Sequence, residues 1–353
     1  MKEHLQSCVT YPLKLCSEDP SSGAFRSNTQ APSNPLRSPL IAVRIIQSSG
    51  WKQGGCLAMR EAGWFGKRLR TDAAKGLTLV SPPLIYALVM LAAPLLSIIL
   101  FSFWTQDFLT IDRSLTLANY REALTDPLYG ELMIRSLRIS LAVTALTVIT
   151  AFPIAYFVSF HVDPSRKSLW LFLITIPFWT SYLIRVFLWR MILAYDGPVN
   201  GSLIALGVIE EPLSWILYNA NAVVITLAHA YAPFAILPIF VSLEKIDRSL
   251  LEAARDLGEN KVMTFLRITL PLAIPGVLAA ILIVFIPTIG DYVTPRLVGG
   301  SGGTMIANMI QTQFMRLNNA PMGATLAVLA MVMVASVSMV LILVTRRWTR
   351  GPK

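Results

Sequence analysis

The first candidates for chemistry are Arg185, His229 and Asp291, ionisable side chains that lie within or at the end of long apolar stretches of this sequence. A charge in an apolar environment is costly, so each is a functional hypothesis by default. Asp291 either meets a cationic solute or pairs with Arg185. Arg185 itself either takes such a pore or pairing role or extends its long side chain to the edge of the apolar layer. His229 is expected to be a hydrogen-bonded histidine between helices, not a proton relay.

Aromatic residues accompany Arg185 at helical spacing. Trp179, Tyr182, Arg185 (or Val186) and Trp189 recur every three or four residues, which predicts one polar and aromatic face of a helix. That face lines a pathway, packs against another subunit or belongs to an interfacial aromatic belt. Together with the residues that close the fifth apolar stretch, the candidate pathway set is Trp179, Tyr182, Arg185, Asp291 and Tyr292.

Enzymatic and metal chemistry find little support in the sequence. It contains no G-x-x-x-x-G-K-S/T phosphate loop and no H-E-x-x-H motif. The three histidines are scattered, and the three cysteines (Cys8, Cys16 and Cys56) all precede residue 59. We therefore expect the chain to bind no metal or cofactor and to lack ATPase activity of its own.

The composition indicates the elements that must position these residues. Of 353 residues, 54% are hydrophobic and 14% are charged, with a mean hydropathy of +0.59. Soluble domains average about 45–50% apolar and about 25% charged residues, so a membrane protein surrounded by lipid is expected. The net charge is +10, but apolar blocks alternate with short charged connectors, which does not suggest a nucleic-acid partner.

Six apolar stretches are long enough to cross a bilayer, for which about 20 residues are needed. They predict an all-α protein with spans at about 78–103, 138–160, 169–193, 222–243, 270–290 and 324–344. The glycine- and amide-rich stretch 297–315 is expected to be an extracytoplasmic loop, either plain or re-entrant. Prolines are expected to interrupt the spans at Pro153, Pro177, Pro233, Pro238, Pro275 and Pro287.

Lysine and arginine set the predicted orientation, because cytoplasmic loops carry an excess of them. They concentrate before the first span, between spans two and three, between spans four and five, and after span six. Both termini are therefore expected in the cytoplasm. The 194–221 loop has three carboxylates and no lysine or arginine, as expected for the outside.

The first 58 residues are rich in Ser, Pro, Asn and Gln and differ from the remainder. They are either a disordered cytoplasmic extension or the product of a start codon placed too early, in which case Met59 begins the protein. Residues 59–77 then form a basic cytoplasmic segment.

The connector 244–271 carries local signals for helix ends. Ser249 and Glu252 have the spacing of a capping box, which predicts a short helix starting near Leu250. Gly258 is expected to end it in the left-handed conformation, and Asn260 to cap a second short helix. The sequence thus predicts a rigid helix–turn–helix on the cytoplasmic face, suited to a soluble partner.

This connector resembles the EAA loop of permease subunits of ABC importers. The matching positions are Glu252, Ala253, Ala254, Gly258, Ile268, Leu270 and Pro271. The resemblance implies a type I importer permease fold, with these residues in a coupling loop that docks on a cytoplasmic ATPase dimer. ATP and magnesium would be bound by that partner.

A wider resemblance, over about 84–344 with the permease core at 135–344, is to permeases of the spermidine/putrescine type. It rests on the segments 176–193, 231–258 and 285–300. It implies an inner-membrane protein with a second permease subunit and a periplasmic solute-binding protein as partners. The expected solute is a polyamine, with an opine, another amine or a phosphonate as alternatives. An ion-coupled secondary transporter is less favoured, because no internal repeat or mid-membrane carboxylate is evident.

Overall fold

The computed structural model describes residues 72–107 and 110–349, most of which are helical. The helices are α1 Asp72–Phe101, α2 Ala118–Thr125, α3 Pro127–Phe160, α4 Pro164–Thr175, α5 Tyr182–Ile192, α6 Pro198–Ala205, α7 Ala220–Glu244, α8 Arg248–Asp256, α9 Lys261–Thr264, α10 Leu270–Ile289, α11 Val293–Val298, α12 Ile306–Met315 and α13 Ala320–Thr349. Short strands β1 (Thr105–Asp107) and β2 (Thr110–Asp112) pair antiparallel, a small exception to the all-α prediction. The predicted segment 1–58 lies outside the described residues, as does most of 59–77.

Within the described residues, five helical segments are long and apolar enough to cross a membrane. They are Thr78–Phe101, Pro127–Phe160, Ala220–Glu244, Lys261–Ile289 and Ala320–Thr345. Each contains one predicted span to within a few residues. A sixth span exists only if the pair Pro164–Trp179 and Tyr182–Ile192, which bends by 85°, counts as one.

The predicted third span is wrong as a continuous helix. Residues Ile176–Trp179 form a tight 3-10 turn that contains Pro177, and the backbone at Thr180 and Ser181 is not helical. Proline has no N–H for the helix ladder, so the helix ends there and α5 leaves in a new direction.

The other in-span prolines do not interrupt their helices, contrary to prediction. Pro153, Pro233, Pro238, Pro275 and Pro287 lie within continuous helices. In a bundle, a proline costs one backbone hydrogen bond, and neighbouring helices and side chains compensate for the loss.

Helices α3, α7 and α10 pack around the main core. Val143, Leu227, Ile239 and Val284 have no exposed surface there. Helices α7 and α10 approach each other closely at Gly276 of α10. An added Cβ at this position would lie 2.5 Å from the carbonyl oxygen of Pro238 and 2.4 Å from the Cβ of Ser242. The absence of a side chain at this position lets α7 and α10 cross in backbone contact.

Helices α1 and α13 form the apolar periphery. No residue is buried in the most apolar part of either helix. Large side chains such as Leu79, Leu91 and Met339 are more than half exposed. An apolar surface of this extent is incompatible with water and suits the acyl chains of a bilayer.

The two ends of the bundle differ in their elements. The ends of α3 and α7 meet α8 and α9 at one end, whereas α2, α6, α11 and α12 gather at the other. The expected loop at 297–315 is wrong in part, because residues Ile306–Met315 form α12. Two hydrogen bonds near the start of α12 hold this helix in place. The backbone N–H of Ile306 donates to Ser136 Oγ (2.7 Å), and the side-chain amide of Asn308 donates to the Tyr292 carbonyl (2.8 Å).

Candidate functional site

The first candidate site is the connector between α7 and α10, and it begins with a capped helix. The Asp247 carboxylate accepts a hydrogen bond from the Ser249 N–H (3.0 Å), so Asp247 is the N-cap of α8. The predicted capping box of Ser249 and Glu252 is therefore wrong, since α8 starts two residues before the predicted Leu250. Hydrogen bonds from Ser249 hold the pKa of Asp247 below its ordinary value.

The turn after α8 requires glycine for its backbone conformation. Gly258 has φ +82°, and the Gly258 and Glu259 N–H groups donate to the Arg255 and Ala254 carbonyls (2.9 and 3.0 Å). This pair of bonds is the Schellman arrangement that ends many helices. A Cβ at Gly258 would meet no atom within 4 Å, so the requirement comes from φ alone. The predicted left-handed end at Gly258 is confirmed.

The second arm of the connector is the start of a membrane span. Asn260 caps α9 by accepting from the Met263 N–H (2.7 Å), as predicted. However, α9 does not end as a separate helix. It continues through a wider π-helical turn, Phe265–Thr269, directly into α10. We call α8, Gly258, α9 and this wide turn the elbow.

The seven residues of the EAA pattern all lie in the elbow or at its junction with α10. Ala254 is buried, at 5% exposure, whereas Glu252 and Ala253 are exposed. Ile268 lies in the wide turn, and Leu270 and Pro271 open α10. Among the described residues, the Glu252 side chain has no hydrogen-bond or ion-pair partner. The pattern thus leaves one surface of α8 free while its other surface packs inward.

Residues that the sequence analysis did not single out fix the elbow to the bundle. The Glu244 carboxylate, at the end of α7, accepts from Ser159 Oγ (2.7 Å) and Lys167 Nζ (2.5 Å). Arg248, the first residue of α8, donates to the Ser159 carbonyl (3.0 Å). These bonds join the ends of α3, α4, α7 and α8. The signal available in the sequence was a carboxylate at the end of span four and a lysine in the connector between spans two and three, which lie on the same predicted side of the membrane.

The second candidate site, at the opposite end, centres on Asp291. The Tyr182 hydroxyl donates to Asp291 Oδ2 (2.5 Å) and lies 2.6 Å from Thr294 Oγ1. The other carboxylate oxygen accepts from the Val293 N–H (2.9 Å). Asp291 is 8% exposed. The structure thus brings Tyr182 and Asp291 together and adds Thr294, which could have been noticed from its position three residues after Asp291.

Arg185 is buried close to this cluster but forms no ion pair with Asp291. It is 8% exposed, its Nη1 lies 3.5 Å from the Ala230 carbonyl, and its Nε has no partner. Neither the predicted pair with Asp291 nor the extension to a surface is observed. His229 accepts from Trp189 Nε1 (3.1 Å), so the prediction of a hydrogen-bonded histidine is confirmed.

Two residues of the predicted pathway set lie apart from the cluster. Trp179 precedes the bend and is 79% exposed, so the predicted stripe from Trp179 to Trp189 is divided in two. Tyr292 is 42% exposed, and its backbone carbonyl accepts a hydrogen bond from the Asn308 side chain.

Comparison with known proteins agrees with this architecture. Residues 151–350 match the family described as "Binding-protein-dependent transport system inner membrane component". The chain is 39% identical over 236 residues to the spermidine/putrescine transport system permease protein PotB of Escherichia coli (strain K12), covering 67% of this chain and 85% of that protein. It is 33% identical over 267 residues to the inner membrane ABC transporter permease protein YdcU of the same organism, covering 72% and 84%.

A solved structure shares the fold. A chain from the bacterial alginate ABC transporter, crystallised in complex with its alginate pentasaccharide-bound periplasmic protein, superposes with a TM-score of 0.61 at 16% identity. The match covers 81% of this chain and 99% of that one. From the family match and the identity to full-length relatives, the chain belongs to the multi-pass inner-membrane permease components of binding-protein-dependent ABC transport systems.

Proposed function

We propose that this chain is the permease subunit of an ATP-driven importer of a small cationic amine, most simply a polyamine such as spermidine or putrescine. The solute class is supported by the name of the PotB relatives, which are 39% identical. The observation that carries the coupling role is the elbow, whose α8 is exposed on one surface and whose second arm continues into α10. An opine, another amine or a phosphonate are the alternative solutes.

In the proposed mechanism a cytoplasmic ATPase dimer binds ATP and magnesium and contacts α8 through the exposed Glu252 and Ala253. The buried Ala254 packs α8 against the bundle, so that the movement of α8 is transmitted to it. Closure of the dimer moves the elbow, and with it α7, α10 and the bent pair, from an inward-facing to an outward-facing arrangement. This requires six spans with both termini in the cytoplasm. The concentration of lysine and arginine beside the elbow supports that orientation.

A second permease subunit would complete the pathway, since one bundle of this size forms half of a translocation route, and a periplasmic binding protein would deliver the solute. Within this chain, Tyr182, Arg185 and Asp291 are the proposed pathway residues nearest the outer end. Trp179 and Tyr292 are proposed as further pathway residues that lie apart from this cluster. Asp291 suits a cationic solute, whereas the unpaired Nε of Arg185 suits an anion such as a phosphonate.

The coupling proposal is tested by uptake of radiolabelled spermidine into cells that express the full transport system. Glu252→Lys should abolish uptake while ATP hydrolysis by the purified complex persists, because the changed charge disturbs docking but not the membrane fold. Glu122→Lys, an exposed carboxylate at the opposite end, is the matched control and should retain uptake. Normal uptake by Glu252→Lys would contradict the coupling role.

The competing class, a secondary transporter, makes the opposite prediction for the energy source. Uptake by an ABC importer should be inhibited by vanadate and should require the co-expressed ATPase. Uptake that is insensitive to vanadate but collapses with a protonophore would overturn the proposal. An excess of unlabelled opine or phosphonate that competes better than putrescine would overturn the polyamine assignment alone.

A further inference from the structure

A cavity of about 310 Å³ lies inside the elbow, between α8, the end of α3 and the wide turn before α10. The charged residues of its lining are Arg248, Glu252, Arg255 and Lys261. Three of these charged residues belong to α8, and their spacing of four and then three positions places them on one side of that helix. Glu252, Arg255 and Lys261 are themselves exposed, so the cavity opens beside the free surface of α8, with Glu252 at its edge.

The cavity carries an excess of positive charge that the chain does not neutralise. Three cations face one carboxylate, and neither Arg255 nor Lys261 forms a side-chain hydrogen bond or ion pair with any described residue. Arg248 already has partners, since it donates to the Ser159 carbonyl and lies over the ring of Phe160 in the cavity wall. Like charges gathered in one cavity repel each other, so an anion bound between Arg255 and Lys261 would relieve that repulsion.

The remaining wall of the cavity is aromatic. Tyr156 and Phe160 of α3 lie with ring centroids 4.8 Å apart, and Phe265 of the wide turn meets Tyr156 edge-on at 5.9 Å. Aromatic rings at the ends of spans mark the level of the lipid headgroups. Because α3 ends at Phe160, the cations of the cavity lie at the level where the phosphates of a surrounding leaflet are expected.

We propose that this cavity is a binding site for the phosphate group of an anionic phospholipid, with Arg255 and Lys261 as its charged partners. The cations hold the phosphate, and the aromatic wall contacts the glycerol and the start of the acyl chains. The site does not depend on which solute the transporter moves. Its ligand chemistry is a phosphodiester anion, which a lipid supplies, although free inorganic phosphate offers similar oxygen acceptors with one to two negative charges.

The test uses the purified full-length chain in detergent, titrated with phosphatidylglycerol or with zwitterionic phosphatidylcholine, with bound lipids counted by native mass spectrometry. Phosphatidylglycerol should be retained in preference to phosphatidylcholine. In Arg255→Gln/Lys261→Gln its affinity should fall by about 25-fold, at roughly fivefold for each basic residue removed beside a lipid headgroup. The control, Arg121→Gln/Arg316→Gln, removes two exposed arginines at the opposite end and should bind as the wild type does.

Several outcomes would overturn the proposal. Equal retention of both lipids, or equal loss in both double variants, would show that the cavity has no part in headgroup selection. Displacement of phosphatidylglycerol by millimolar inorganic phosphate would assign the site to free phosphate. Loss of the bound lipid on adding the ATPase subunit, with weaker ATPase binding by Arg255→Gln/Lys261→Gln, would assign the cations to an acidic side chain of that subunit.

Discussion

The hydroxyl of Tyr182 is the contact by which α5 is held against the end of α10 and the start of α11. It donates to Asp291 and lies beside Thr294, while the same carboxylate accepts from the backbone after it. Both oxygens of the carboxylate are thus engaged in hydrogen bonds within the protein. A solute cation that reaches Asp291 would therefore have to share it with Tyr182.

We expect Tyr182→Phe to lower the thermal unfolding midpoint of the purified chain. The substitution removes one donor from a buried carboxylate, which costs about 1–3 kcal/mol. Tyr195→Phe is the control, because Tyr195 is 61% exposed and forms no hydrogen bond with a described residue. Equal midpoints for the two variants would show that the Tyr182 contact contributes nothing to stability.

Asp291→Asn separates the two roles of this residue. The amide loses the charge, but its oxygen can accept from the Val293 N–H and its nitrogen can donate to the Tyr182 hydroxyl, which then donates to Thr294. The unfolding midpoint should therefore change little. If the carboxylate contacts a dication during transport, the KM for putrescine uptake should rise several-fold. An unchanged KM would show that Asp291 positions α5 and α11 and does not contact the solute.

At the scale of elements, the elbow shows which local features can be predicted from sequence. Gly258 and Asn260 were correctly predicted, because a left-handed turn and an Asn cap depend on a few adjacent residues. The cap of α8 was misassigned, since Asp247 and Ser249 are both good capping residues and sequence alone does not rank them. The wide turn was missed because nothing in residues 265–269 breaks a helix.

The role of Gly258 can be separated from its effect on stability. Gly258 and Gly207 both have positive φ (+82° and +68°) and open space around an added Cβ. Alanine at either position should cost about 1–2 kcal/mol of backbone strain. We expect similar shifts in unfolding midpoint for the two variants but reduced spermidine uptake in Gly258→Ala only. Equal loss of uptake in both would attribute the effect to stability and not to coupling.

At the scale of the whole molecule, gaps between charged residues located the long helices, because the width of the bilayer fixes their length. The bend between α4 and α5 was not predictable in the same way. Of the six prolines that were expected to interrupt spans, only Pro177 lies at a break, and tertiary packing decides which helix tolerates a proline. The pairing of Tyr182 with Asp291, 109 positions apart, likewise depends on the fold.

The proposed orientation can be measured with single cysteines in a background where Cys8, Cys16 and Cys56 are replaced by serine. Ser249→Cys on α8 should react with a membrane-impermeant maleimide only after cells are opened, because the elbow is expected in the cytoplasm. Ser202→Cys on α6, at the opposite end, should react in intact cells. Both serines are exposed. The reverse pattern would invert the topology and remove the elbow from any cytoplasmic ATPase.

The backbone contact at Gly276 has a mechanical consequence for α10. It lies about 9 Å from the start of the helix and about 20 Å from its end, at 1.5 Å per residue. If the crossing with Pro238 acts as a fulcrum, a displacement applied at the elbow is roughly doubled at the far end. A small displacement of the elbow beside α8 would then produce a larger displacement of the other end of α10, next to Asp291. The ratio of the two displacements is set by the position of Gly276 along the helix.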